Sequence, residues 1–186
     1  MNNHVAMLIA LTWCLSVAEA STYIYTSSTT CDYTSNGNTQ CCGTATTIVI
    51  DSTVVNIGYQ AFKHCDTITE VDFSSATNLL TIAGGAFNNM DLLASVDMSG
   101  ATQLGSIGTW TFCVCPKLAS VKLASSITTI GDAAFMNTGL NTAATVDFNG
   151  VNCATAISGA QNTPFEFACP SSNQMYMYTS TTTCTF

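Results

Sequence analysis

One repeated phenylalanine constrains this chain more than any other feature. Four segments align on it: Ile57-Gly58…Ala61-Phe62, Ile82…Ala86-Phe87, Ile107-Gly108…Thr111-Phe112 and Ile130-Gly131…Ala134-Phe135, with the rings 25, 25 and 23 positions apart. In the first three copies a sulfur residue follows three positions later (Cys65, Met90, Cys115), then an aliphatic at six (Ile68, Leu93, Leu118). A valine comes at nine (Val71, Val96, Val121) and a large apolar residue at eleven (Phe73, Met98, Leu123). The fourth copy has Thr138 at the sulfur position and two extra residues before Val146 and Phe148. An incomplete copy precedes them all, in which Ile48, Ile50, Val54 and Ile57 reproduce the spacing of Val121, Leu123, Ile127 and Ile130.

Self-similarity at this period is the signature of a solenoid. Val-x-Phe, Val-x-Met and Val-x-Leu alternate as a short strand with one buried face must. The glycine after the isoleucine is expected to permit a tight bend, and Ala-Phe then sends one large ring inward. A single unit has too little apolar surface to fold alone. Stacked at the strand spacing of ~4.8 Å, equivalent Ile, Phe and Val residues share one core as continuous ladders.

The pattern Ile-Gly-x-x-Ala-Phe-x-x-Cys-x-x-Leu-x-x-Val-x-Leu resembles the BspA-like class of leucine-rich repeats, over roughly residues 47–150. That resemblance implies a mainly β, right-handed, arc-shaped solenoid of about four repeats, with a parallel sheet on one face and turns or short helices on the other. It also implies adhesion or binding to extracellular proteins, without catalysis. This chain departs from the class in spacing its repeats at 25 more often than 23, with the extra pair at Thr77-Asn78 and Thr102-Gln103.

Residues 1–20 read as a cleaved signal peptide. An apolar run over residues 5–17 ends in Ala18-Glu19-Ala20, which places Ser21 at the new N-terminus. Residues 21–46 and 151–186 read as N- and C-terminal caps around the repeats. They hold a second similarity: Tyr23-Ile24-Tyr25-Thr26-Ser27-Ser28-Thr29-Thr30-Cys31 and Tyr176-Met177-Tyr178-Thr179-Ser180-Thr181-Thr182-Thr183-Cys184 agree at seven of nine positions. Such segments suit strands that cover the open ends of a stack, or matched ends that join molecules.

Nine cysteines follow residue 20, three in each flank and three in the repeats, and in a secreted chain they read as a disulfide framework. Local closure within each flank is expected: Cys31 with Cys41 or Cys42, and Cys169 with Cys153 or Cys184. Cys65 and Cys115 stand two coils apart, about 10 Å by the strand spacing and beyond disulfide reach, so both are expected to be buried free thiols. Zinc does not fit Cys41-Cys42 or Cys113-Val114-Cys115, which lack the usual two-residue gap.

The processed chain would carry three lysines, no arginine, eight Asp and two Glu. That balance excludes nucleic acid and disfavours anionic membrane surfaces, since both require cations against phosphate. His64 is its only imidazole, and its neighbour Cys65 belongs to an inward position, so no nucleophile–base pair is expected. Gly84-Gly85 lacks the lysine of a phosphate loop. No enzyme activity and no cofactor are indicated. Asp72, Asp97, Lys122 and Asp147 recur every 25 residues between the two buried residues of a strand, with Glu70 beside Asp72. They should line the outward face, as a solvated strand surface, a docking face for a basic partner, or a weak calcium site. The expectation is a secreted, non-catalytic module that binds an extracellular protein or glycan through this face. The alternative is a structural matrix or coat component that self-associates through its matched ends.

Overall fold

Each valine triplet forms a β-strand, and its next copy pairs with it in register. The computed structural model describes residues 21–29, 31, 39–140, 145–147 and 149. The proposed signal segment, the C-terminal flank and Cys153, Cys169 and Cys184 lie outside the described residues. The main sheet is six-stranded and wholly parallel, in the order β1 (Thr22–Tyr25), β2 (Thr47–Ile50), β4 (Glu70–Asp72), β6 (Ser95–Asp97), β8 (Ser120–Lys122) and β10 (Thr145–Asp147). Ile48, Val71, Val96 and Val121 are buried partners along one row, and Val146 completes the row at its end. This is a β-solenoid of about four turns.

A second sheet, also parallel, joins β3 (Asn56–Ile57), β5 (Thr81–Ile82), β7 (Ser106–Ile107) and β9 (Thr129–Ile130). These strands are two residues long, too short for alternation to reveal them in the sequence. Their isoleucines, aligned as Ile57, Ile82, Ile107 and Ile130, are all buried. A turn layer closes each coil and is stitched by the main chain. Phe62 N–H donates to the Ala86 carbonyl at 2.7 Å, Phe87 N–H to Thr111 at 2.9 Å and Phe112 N–H to Ala134 at 2.7 Å. The one helix among the described residues is α1 (Thr39–Cys42), in the N-terminal flank.

The phenylalanines enclosed by the three layers form a stack. Phe62, Phe87, Phe112 and Phe135 lie 5.3, 5.2 and 5.3 Å apart by ring centroid, with planes within 8° of parallel. That separation sits in the favourable range for offset aromatic pairs and matches the rise from one coil to the next. Tyr25 and Tyr23 meet Phe62 edge-on at 5.1 and 6.4 Å and cover the N-terminal end of the stack. The inserted pairs make a ladder of their own. Asn78 donates to the Ser52 carbonyl at 2.9 Å, and Gln103 to the Thr77 carbonyl at 3.0 Å.

The glycines after isoleucine do not act as expected. In the turn layer the left-handed residues are Gln60, Gly85, Trp110 and Ala133 at one position (φ 52, 63, 56 and 52°) and His64, Asn89, Val114 and Asn137 at another (φ 61, 56, 57 and 56°). Gly58, Gly108 and Gly131 are not among them. The bend comes from the turn layer, and glycine at 108 and 131 serves close approach. A Cβ on Gly108 would stand 2.5 Å from the Gly84 nitrogen, and one on Gly131 2.4 Å from the Gly108 carbonyl carbon. Gly58, on the first full coil, has nothing within 4 Å of that position. Gly108→Ala is therefore expected to lower unfolding stability in urea by ~1–3 kcal/mol, the usual cost of overpacking, while Gly58→Ala changes it little. Equal losses from both would remove the stacking explanation.

Candidate interaction face

The register that buries the valines also fixes what stands between them. Asp72 pairs with Asp97, Asp97 with Lys122, and Lys122 with Asp147, so all four occupy one outward row. Glu70, Ser95, Ser120 and Thr145 form the row beside it. Lys122 Nζ lies 3.7 Å from Asp97 Oδ2, with the two side chains 39% and 61% exposed. A pair this open is screened by solvent and contributes little to stability. Its effect is local: one ammonium separates carboxylates that would otherwise adjoin at strand spacing.

The aspartates have a second task that sequence reasoning missed. Asp72 Oδ1 accepts the Ser74 N–H at 2.7 Å, and Asp147 Oδ1 the Asn149 N–H at 2.8 Å. Asp97 Oδ1 accepts both the Ser99 N–H at 2.9 Å and the Ser99 hydroxyl at 2.6 Å. Each carboxylate ends its strand through an Asx turn. The signal was present as Asp-x-Ser, Asp-x-Ser and Asp-x-Asn, and Lys122-Leu123-Ala124 lacks it. Partial burial pushes the Asp97 carboxyl up, but the Ser99 hydrogen bonds and the Lys122 charge outweigh it and hold it below the ordinary value.

A contrasting acidic pair lies outside this row. Asp66 and Asp91 share the 25-residue spacing. Burial and the Asp91 charge raise the Asp66 carboxyl, against a smaller lowering by His64. His64 itself is exposed, and its Nε2 is 3.2 Å from Asn89 Nδ2. Among the described residues no group of three or more His, Cys, Asp or Glu could hold a metal ion.

The cysteines correct one expectation. Cys31 bonds Cys41, but Cys42 bonds Cys65, so Cys65 is not a free thiol. The link runs from the flank into the first repeat, not within the flank. Its reason is register: Cys42 precedes Cys65 by 23 residues, the interval that also separates Ile48 from its partner Val71. Cys42 thus stands one coil from Cys65, with Cα atoms 5.8 Å apart. The incomplete first copy extends further back than Ile48, and that extension was the overlooked clue. Cys113 is also disulfide-bonded. Cys115 is buried and free, and burial pushes its thiol up to about 12.

A family model, the BspA type leucine-rich repeat region, matches residues 35–152 in six copies. No curated protein and no solved structure matches the chain. Among the described residues no helix is long and apolar enough to cross a membrane.

Two measurements check this geometry. In a carboxyl NMR titration Asp97 should protonate below the ordinary aspartate range and Asp66 above it, and Asp91→Asn should move Asp66 downward. The sign for stability follows: the depressed Asp97 contributes above the unfolded value near 4 and loses that contribution as pH falls through its folded value. Iodoacetamide should leave Cys115 unmodified in the native protein and label it after denaturation, because the reactive thiolate is suppressed by burial. Rapid native labelling would contradict its placement.

Proposed function

The chain belongs to the BspA-type leucine-rich-repeat family, and we propose that it is a secreted, non-catalytic module that binds an extracellular protein through the outward face of its main sheet. The observation that carries this reading is the in-register row Asp72–Asp97–Lys122–Asp147, flanked by Glu70. It sets four carboxylates against one ammonium on a rigid, parallel surface. A scaffold whose strands are fixed by buried ladders holds such charges without further ordering cost, which favours specific recognition over loose attraction.

The chemistry of the face selects a basic partner. A protein segment rich in Lys or Arg meets the carboxylates directly, and the neighbouring Ser95 and Ser120 hydroxyls supply neutral donors and acceptors around them. The Asx turns already engage one oxygen of each aspartate and hold the side chains in place. Calcium is the weaker reading, since Lys122 interrupts the row and no metal-holding group occurs among the described residues. Secretion is supported by the apolar run and Ala18-Glu19-Ala20 before Ser21, and by disulfides that persist outside reducing compartments.

The test is capture of cell-surface and culture-medium proteins by immobilised wild-type chain and by Asp72→Lys/Asp97→Lys. The double reversal should weaken capture of the specific partner about tenfold or more, and raised salt should weaken wild-type capture in parallel. Capture unchanged by the reversal would show that the partner sits elsewhere.

A further inference from the structure

The duplicated segment has a structural meaning that its sequence alone does not reveal. Of the seven positions shared by residues 23–31 and 176–184, six are described in the first copy, and each holds that copy in place. Tyr25 is buried edge-on against Phe62, and Tyr23 joins it while its hydroxyl lies 3.6 Å from Cys31 Sγ. Thr26 and Thr29 close a turn, through Thr29 N–H to the Thr26 carbonyl at 3.0 Å and Thr26 N–H to Thr29 Oγ1 at 3.1 Å. Ser27 N–H donates to Thr53 Oγ1 at 3.1 Å, and Cys31 bonds Cys41. The two positions that differ, Ile24 and Ser28, are exposed. The duplication preserves the tyrosines and the cysteine that fix the copy to the core, and it varies only at exposed positions, where Ser28 reaches no further than the Thr26 hydroxyl at 3.0 Å.

Among the described residues the first copy also leaves an open edge. β1 is the outermost strand of the main sheet. Its Ser21 and Tyr25 carbonyls accept from Thr47 and Asp51 of the neighbouring coil. Main-chain groups alternate sides along a strand, so the N–H and C=O of Thr22 and Ile24 point away from β2. Neither residue has a partner on that side among the described residues. Tyr23 is only half-buried there, whereas the equivalent Ile48, Val71 and Val96 are covered from both directions.

We propose that this edge docks residues 176–184 of a second copy of the chain, added as one more parallel strand. Within the solenoid like stacks on like: Phe on Phe, Val on Val, Ile on Ile. Tyr176 over Tyr23 continues that rule, buries the rest of Tyr23 and uses the open main-chain groups. The contact pairs two different surfaces and repeats by translation along the stack, so it does not close and produces a head-to-tail filament. It is independent of the acidic face, whose charges lie on a different surface.

The test is sedimentation velocity of the processed full chain across a wide concentration range. Wild type should sediment faster as concentration rises. Ile24→Pro removes an N–H from the open side only, which an edge strand tolerates, and should leave a monomer. Tyr176→Asp/Tyr178→Asp should also be monomeric. Mixing the two variants should give a one-to-one dimer that grows no further, because each retains one competent end. Wild type that stays monomeric throughout, or Ile24→Pro that associates as wild type does, would overturn the proposal. If circular dichroism shows that Ile24→Pro does not fold, a peptide of residues 176–184 with Cys184→Ser decides: it should return wild-type assemblies to monomer, and no effect overturns the proposal.

Discussion

The whole structure depends on one translation, the step from each coil to the next at the spacing of parallel β-strands. Main-chain hydrogen bonds set that step in three places per coil: the main sheet, the second sheet and the turn layer. Side chains must then repeat at the same interval. Phenylalanine satisfies it with rings 5.2–5.3 Å apart, close enough to stack and far enough not to clash. Gly108 and Gly131 satisfy it where backbones nearly touch. The core is thus a set of columns, and each column is as continuous as its least suitable residue allows.

The same step explains the disulfides and the charges. Cys42 and Cys65 meet because they occupy one column in adjacent coils, while Cys115, with Met90 between it and Cys65, stays a buried thiol. On the outside, the step that aligns valines aligns Asp72, Asp97, Lys122 and Asp147. At Asp97 burial is outweighed by the Ser99 hydrogen bonds and the Lys122 charge, whereas burial and the Asp91 charge push Asp66 the other way against a smaller lowering by His64. An outward row of charges and a stable stack therefore come from one repeated geometry, and the aspartates belong to both through the turns they cap.

Several of these features were legible before any coordinates. The columns of Phe, Val and Ile follow from spacing, because a residue that recurs at fixed intervals beside other recurrences must be stacked to be buried. The outward position of the Asp row follows from strand alternation. Other features were not legible for identifiable reasons. Two-residue strands carry no period. Left-handed turns at Trp110 and Val114 use residues that do not announce them, since the cost is met by coil-to-coil hydrogen bonding. The Cys42–Cys65 bond was hidden by the 23-residue interval of the first coil among intervals of 25.

By itself, the sequence determined that this protein stacks repeats, which residues face inward and which charges share a face, because periodicity and alternation are one-dimensional properties. Tertiary structure decided which surfaces are contiguous and which edges are open. β1 is the clearest case. Its residues resemble those of 176–184 equally well in any conformation, but only the parallel sheet shows which of them grip the core and which main-chain groups are left facing outward. Hydrogen-bond direction and burial depend on a neighbour that lies a full coil away, and no local reading of the chain contains that neighbour.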